Sequence, residues 1–104
     1  MNLPIVISDL VKAQNNFDSA SYVNCFNETA VVFDEGKTHK GKKEIKNWIG
    51  KAQKVYQVTM KPLEYSETKQ ILDAEISGNF SGSPLVLSYQ FELQDGRIQS
   101  LKIG

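Results

Sequence analysis

The chain has 104 residues, 40% of them hydrophobic, and its twelve basic residues balance twelve acidic ones. This length supports one domain with a single core, which we assign to residues 1–104. Zero formal charge disfavours nucleic-acid and membrane partners, and no apolar run approaches the roughly 18–20 residues of a membrane span. One cysteine and one histidine exclude an internal disulfide and a zinc cluster. We therefore expect a soluble, cytoplasmic protein without metal or cofactor.

Two helices are predicted at the N-terminus. Pro4 suits a first helical turn. Apolar spacing then predicts one buried helix face, made of Ile7, Leu10, Val11, Gln14 and Phe17. Asp18 is the predicted N-cap of a second, shorter helix, which carries Tyr22, Cys25 and Phe26. We interpret Cys25 as a core residue, because no nearby cation would activate its thiol.

A short strand, Ala30–Phe33, is predicted to end at Asp34. A carboxylate at the end of a buried strand can be partly desolvated, which raises its pKa toward values useful in acid–base chemistry. The alternative is that Asp34 caps a turn or pairs with a lysine. After Gly36, a polar turn containing His39 leads through Gly41 into a helix. His39 is either a base oriented by Asp34 or an exposed turn residue.

The third predicted helix is amphipathic. Lysines fill one face, and the other carries an apolar stripe of Ile45, Trp48, Ile49, Ala52 and Val55. Seven of the twelve basic residues fall between Lys37 and Lys54. Because only Trp48 interrupts them with an aromatic ring and no second basic segment follows, we interpret them as a solvated helix face rather than a nucleic-acid site.

The remainder of the chain predicts a four-stranded antiparallel meander. Tyr56, Val58 and Met60 share one face of its first strand, which Pro62 bends or confines to a sheet edge. Alternating apolar residues predict three further strands, at Leu72–Phe80, Leu85–Leu93 and Ile98–Ile103. Asp95-Gly96 is a strong signal for a tight turn before the last of them.

Three short motifs occur within this order of elements. They are Asn16-Phe17-Asp18, the run Cys25–Asp34, and Lys40-Gly41 before Glu44-Ile45. Together with the closing meander, they resemble the nuclear transport factor 2-like superfamily, in particular its SnoaL-like and ketosteroid-isomerase-like members. The resemblance implies an α+β, cystatin-like fold. In it, a cone-shaped, curved antiparallel or mixed sheet wraps around three N-terminal helices, and its open end leads to a small-molecule pocket.

The resemblance also suggests roles for individual residues. Asp34 falls on the position of the general base of ketosteroid isomerases, which moves a proton beside a carbonyl. Leu10 stands where those enzymes have a tyrosine oxyanion donor, so that donor is missing. Tyr89 stands in place of a protonated acid that is their second donor, and Trp48 matches an aromatic pocket position. Asp34, His39 and Tyr89 are thus the candidate catalytic residues.

Strand alternation predicts which side chains face the pocket. If Asp34 faces it, Val32 does too, and Val31 and Phe33 lie on the outer sheet face. An apolar lining with few polar groups is usual for small-ligand sites. We assign eight residues to the lining: Leu10, Tyr22, Val32, Trp48, Tyr56, Ile76, Phe80 and Phe91. For the two phenylalanines of this set, simple core filling is the competing interpretation.

Three functions fit the sequence, and the fold alone does not choose among them. The first is a proton-transfer enzyme of the isomerase, cyclase or dehydratase kind that uses Asp34 on a small apolar or carbonyl-bearing molecule. The second is a non-catalytic binder of such a molecule, and the third is a dimeric interaction module with a vestigial pocket. Because Val31 and Phe33 would expose apolar surface, we expect a homodimer formed through the outer sheet face.

Overall fold

The computed structural model describes residues 1–104 and contains three helices and six strands. In chain order these are α1 (Ile5–Asn15), α2 (Ser19–Asn24), β1 (Phe26–Asp34), β2 (Lys37–Lys40), α3 (Gly41–Tyr56), β3 (Thr59–Ser66), β4 (Ile71–Ser77), β5 (Leu85–Gln94) and β6 (Arg97–Ile103). None of the helices is both long enough and apolar enough to cross a membrane.

All six strands form one curved sheet, in the order β2-β1-β6-β5-β4-β3. Strands β3 to β6 make the predicted antiparallel meander. Strand β1 pairs with β6 in parallel, which is possible because α3 and four strands separate them along the chain. The sheet is therefore mixed, and helices α1 and α3 pack against it at opposite ends, on β3 and on β1 and β2. The expected α+β architecture is confirmed.

The helices and the inner sheet face share one core of nineteen buried apolar residues. Burial alternates along β4, where Leu72, Ala74 and Ile76 point inward. The same alternation on β1 buries Val32 and leaves Phe33 42% exposed on the outer face, as the sequence predicts. Full burial of an aliphatic side chain of this size contributes roughly 1.5–3 kcal/mol, so these strand faces fix the pairing register.

Several predicted boundaries are wrong by a few residues. Phe17 lies beyond α1 with a φ of 54° and is 47% exposed, so it does not extend the buried face of the helix. Phe26 opens β1, and Asn27-Glu28 belongs to this strand rather than preceding it. Tyr56 is the last residue of α3, because the amphipathic pattern of this helix continues to Tyr56. Strand β3 begins only at Thr59.

Strand β2 takes the place of the predicted polar turn around His39. A two-residue turn, Glu35-Gly36, joins it to β1, and both residues have positive φ, 52° and 74°. This is the backbone of a type I′ hairpin turn, whose second position favours glycine. His39 consequently lies on a strand, opposite Val32.

The C-terminal end of α1 is fastened to the edge strand β3 by the side chain of Asn15. Its Nδ2 donates a hydrogen bond to the Met60 carbonyl oxygen at 3.0 Å, and the Met60 backbone N–H donates to Oδ1 at 2.8 Å. The amide thus pairs with β3 as a neighbouring strand would. The register between β3 and β4 shifts just beyond, between Pro62 and Glu64, which agrees with the expected bend or edge position of the proline.

We predict that Asn15→Ala lowers the free energy of unfolding by about 1–3 kcal/mol, since the variant loses both hydrogen bonds and leaves the Met60 backbone groups unpaired. The neighbouring Asn16 is exposed, and Asn16→Ala is the matched control, with an expected change within about 0.5 kcal/mol. Urea denaturation measures both values. Equal losses in the two variants would contradict this role for Asn15.

Candidate functional site

A cavity of about 700 Å³ opens between α3 and the inner face of the sheet, within the size range of small-molecule sites. Thirteen of the twenty-one residues around it are hydrophobic, so its wall is mainly apolar. The apolar residues come from α2, α3, β4, β5, β6 and the segments next to them: Tyr22, Trp48, Ile49, Ala52, Val55, Tyr56, Val58, Ile76, Phe80, Leu85, Leu87, Tyr89 and Ile103.

One side of this cavity carries a carboxylate and two phenol groups. Asp34 lies at the end of β1, while Tyr22 comes from α2 and Tyr89 from β5; all three line the cavity. The tyrosines are 1% and 3% exposed. Burial raises the pKa of both phenols, and the charge of Asp34 contributes further in each case. Both therefore remain protonated at neutral pH and are available as hydrogen-bond donors.

The environment of Asp34 raises its pKa above the ordinary value of 3.8. Desolvation is the largest cause, and the nearby negative charge of Glu35 adds to it. A polar contact with the Trp48 indole, the charge of His39 and the backbone N–H of Glu35 act in the opposite direction without cancelling the rise. A carboxylate with a raised pKa is a stronger base than an exposed aspartate, which suits it to proton transfer.

Trp48 connects this cluster to His39. The imidazole stacks on the indole with a centroid distance of 5.3 Å and an interplanar angle of 26°, and Tyr22 meets the same indole edge-on at 6.2 Å. His39 also lines the cavity. The hairpin therefore directs the imidazole inward, whereas an exposed turn, the alternative considered from sequence, would have left it in solvent.

The mouth of the cavity is more polar and more exposed. Lys37, Lys51 and Glu35 line it together with the final turn of α3. Gly78 brings the β4–β5 connection against that turn, since a Cβ atom there would lie 2.6 Å from the Tyr56 carbonyl oxygen. The Asn79 backbone N–H donates to the same oxygen at 2.7 Å. This close approach fixes one side of the mouth.

The structure brings the three candidate catalytic residues, Asp34, His39 and Tyr89, around one cavity. Of the eight residues assigned to the lining, five border it: Tyr22, Trp48, Tyr56, Ile76 and Phe80. The other three do not. Leu10 and Val32 are fully buried in the core, and Phe91 is 3% exposed and stacks on Tyr89 at 6.4 Å. Their side chains face inward as predicted, but they pack against other core residues instead of bordering the cavity.

Among the polar groups of the cavity wall that sequence reasoning missed, one is buried. Gln14, on α1, is 3% exposed and borders the cavity. The available signal was a glutamine on a predicted apolar helix face, one turn after Leu10.

No group of three or more His, Cys, Asp or Glu side chains is arranged to hold a metal ion. Cys25 lies outside the cavity, and burial raises the pKa of its thiol to about 11, which agrees with a core role.

No protein-family model and no curated protein matches the sequence. Solved structures do match it. A protein provisionally named a polyketide cyclase, from Sinorhizobium meliloti, shares 36% identity with a TM-score of 0.91, over 98% of this chain and 95% of that one. A hypothetical protein of ketosteroid isomerase-like fold from Catenulispora acidiphila, in complex with trimethylamine, shares 15% identity with a TM-score of 0.86, over 99% and 86% of the two chains.

A nuclear transport factor 2-like protein of unknown function from Cytophaga hutchinsonii shares 16% identity with a TM-score of 0.76, over 95% of this chain and 85% of that one. Together with the close match to the Sinorhizobium protein, this agreement identifies the family. The chain belongs to the nuclear transport factor 2-like superfamily. Among the three structures, the Sinorhizobium protein is the one related to it in sequence as well as in fold.

The raised pKa of Asp34 predicts a pH-dependent cost to stability. Between its ordinary pKa of 3.8 and the raised folded-state pKa, the folded chain binds more protons than the unfolded chain, so stability falls as pH rises through this window. We expect the melting temperature of wild type, relative to Asp34→Asn, to decrease with rising pH and to become constant above the folded-state pKa.

Thermal unfolding of both proteins from pH 3 to pH 8 measures this difference. Asp95→Asn removes the same charge in the exposed β5–β6 turn and is the control. A wild type that instead gains stability over Asp34→Asn as pH rises would show that Asp34 is held as a capping or paired carboxylate.

Proposed function

We propose that this protein is a proton-transfer enzyme of the isomerase, cyclase or dehydratase kind that acts on a small, mainly apolar, carbonyl-bearing molecule. The observation that carries the proposal is the placement of Asp34, with its raised pKa, beside two buried phenol groups in an apolar cavity. The provisional name of the Sinorhizobium relative, a polyketide cyclase, supports the same class of reaction.

In the proposed reaction, the Asp34 carboxylate accepts a proton from the carbon next to the substrate carbonyl. The electron pair of the broken C–H bond moves toward the carbonyl oxygen and forms an enolate. The protonated Asp34 then returns the proton to another position. Alternatively, the enolate carbon attacks a second carbonyl carbon, the C=O π electrons move onto its oxygen, and this oxygen takes the proton from Asp34. An apolar site favours this exchange, because the charge passes from one poorly solvated group to another.

The enolate oxygen requires hydrogen-bond donors, since Leu10 supplies none at the position where ketosteroid isomerases have a tyrosine. We assign this role to the hydroxyl groups of Tyr22 and Tyr89, which border the cavity with Asp34 and remain protonated. Trp48 packs against both Tyr22 and His39 and holds the aromatic side of the site in place. We assign proton exchange between the site and solvent to His39, which is half-buried and lines the cavity with Asp34.

The proposal predicts that the protein accelerates hydrogen–deuterium exchange beside the carbonyl of a small bicyclic ketone. 2-Tetralone in D2O is a suitable probe, followed by proton NMR. Asp34→Asn should slow the catalysed exchange at least about a hundredfold, because the amide cannot accept the proton. Tyr22→Phe and Tyr89→Phe should each slow it about tenfold or more. The wild-type rate should rise with pH through the raised pKa of Asp34.

Asp95→Asn, remote from the cavity, should exchange at the wild-type rate. The same experiment distinguishes an enzyme from the main alternative, a non-catalytic binder. If 2-tetralone binds but exchanges no faster than in buffer, or if Asp34→Asn retains the wild-type rate, the enzymatic proposal is wrong.

We also propose that two copies of the chain pair through the outer sheet face. Phe33 and Val86 are 42% and 58% exposed there, and Val31 lies beside Phe33 on the same face. Lysine and glutamate side chains alternate with them: Lys61, Glu75, Glu92 and Lys102. A face with apolar residues and charges of both signs can be complementary to itself across a twofold axis.

Light scattering at micromolar concentration should therefore give the dimer mass, and Phe33→Lys should shift it to the monomer. Phe17→Lys introduces the same charge at an equally exposed phenylalanine away from the sheet, and this variant should remain dimeric. A monomeric wild type, or dissociation of both variants alike, would contradict assembly through this face.

A further inference from the structure

Apart from the phenols of Tyr22 and Tyr89, Gln14 carries the one almost completely buried polar side chain of the cavity wall, at 3% exposure. No hydrogen bond within the chain involves its side-chain amide. The other buried glutamine, Gln53 at 6% exposure, has its Nε2 sealed inside the protein without a partner and does not border the cavity. The Gln14 amide, by contrast, is not sealed and has the cavity beside it. A buried, unpaired amide facing a cavity of this size is arranged to meet a polar group of a ligand.

The position of Gln14 is fixed from two sides. Its own helix buries Leu10 one turn earlier, and the next residue, Asn15, makes two hydrogen bonds to the backbone of Met60. This pairing ties the end of α1 to β3, at the opposite edge of the sheet from β2. Three strands lie between β3 and β1, which carries Asp34. Gln14 therefore reaches the cavity from the β3 side of the sheet and Asp34 reaches it from β1.

We infer that Gln14 determines substrate specificity by hydrogen-bonding a second oxygen of the substrate, apart from the carbonyl that lies beside Asp34. Its amide offers a donor and an acceptor, so a carbonyl, ester or hydroxyl oxygen satisfies it. The substrate class is thus narrower than an apolar ketone: it is a carbonyl compound with a second oxygen at its far end. This inference rests on the proposed function, because it concerns the substrate of the same cavity.

Binding of naphthols tests the inference without turnover. 2-Naphthol has the planar shape and the single oxygen of the 2-tetralone enolate, and naphthalene-2,6-diol and naphthalene-2,7-diol add the second oxygen. Isothermal titration calorimetry should show at least one diol binding wild type at least tenfold more tightly than 2-naphthol. Gln14→Met, similar in volume and without the amide, should abolish this advantage and change the affinity for 2-naphthol by less than threefold.

Gln53→Met is the matched control, because it removes the other buried amide, away from the cavity. It should retain the preference for the diol. Gln14→Leu replaces Gln14→Met should the methionine variant not fold. The inference is overturned if wild type binds neither diol more tightly than 2-naphthol, including the case in which none of the three binds, or if Gln14→Met weakens all ligands equally or keeps the preference. Because no proton exchange is measured, failure here leaves the test of the Asp34 mechanism unaffected.

Discussion

The site depends on one constraint: a carboxylate is held where an apolar strand reaches the wall of an apolar cavity. The alternation of β1 places Ala30 and Val32 in the core and thereby turns Asp34 toward the same side. Water is partly excluded there, and the resulting desolvation outweighs the favourable contacts with Trp48 and His39. The fold thus keeps a group that is unfavourable for stability, a common property of functional sites.

Much of the fold could be predicted from local sequence patterns. Asp18 accepts a hydrogen bond from the Ser21 backbone N–H as an N-cap should, and the alternation of β4 and β5 gave the meander and its inner face. With Asp34 assigned to the pocket by the resemblance, the parity of β1 correctly predicts that Val32 faces inward and Phe33 outward. These features are local, or depend on a repeat of two residues, and a single sequence contains them directly.

The features that were missed depend on tertiary context. Strand β2 has only four residues and was concealed by its polar composition, although Glu35-Gly36 is a recognisable hairpin turn. Whether an inward-facing side chain of a strand packs in the core or borders the cavity depends on where along that strand the helices cover the sheet. Phe91 and Tyr89 therefore have the same parity and different surroundings. Gln14 could be recognised as a cavity residue only once Asn15 had been found to join α1 to β3.

The central claim is that Asp34 is a desolvated carboxyl group in a functional cavity. Carbon-detected NMR titration of the Asp34 side-chain carboxyl, with and without bound 2-naphthol, tests this most directly. The account predicts a pKa above the ordinary 3.8 in the free protein and a further rise when the apolar ring displaces water from the cavity. A pKa at or below that ordinary value, unchanged by the naphthol, would contradict it.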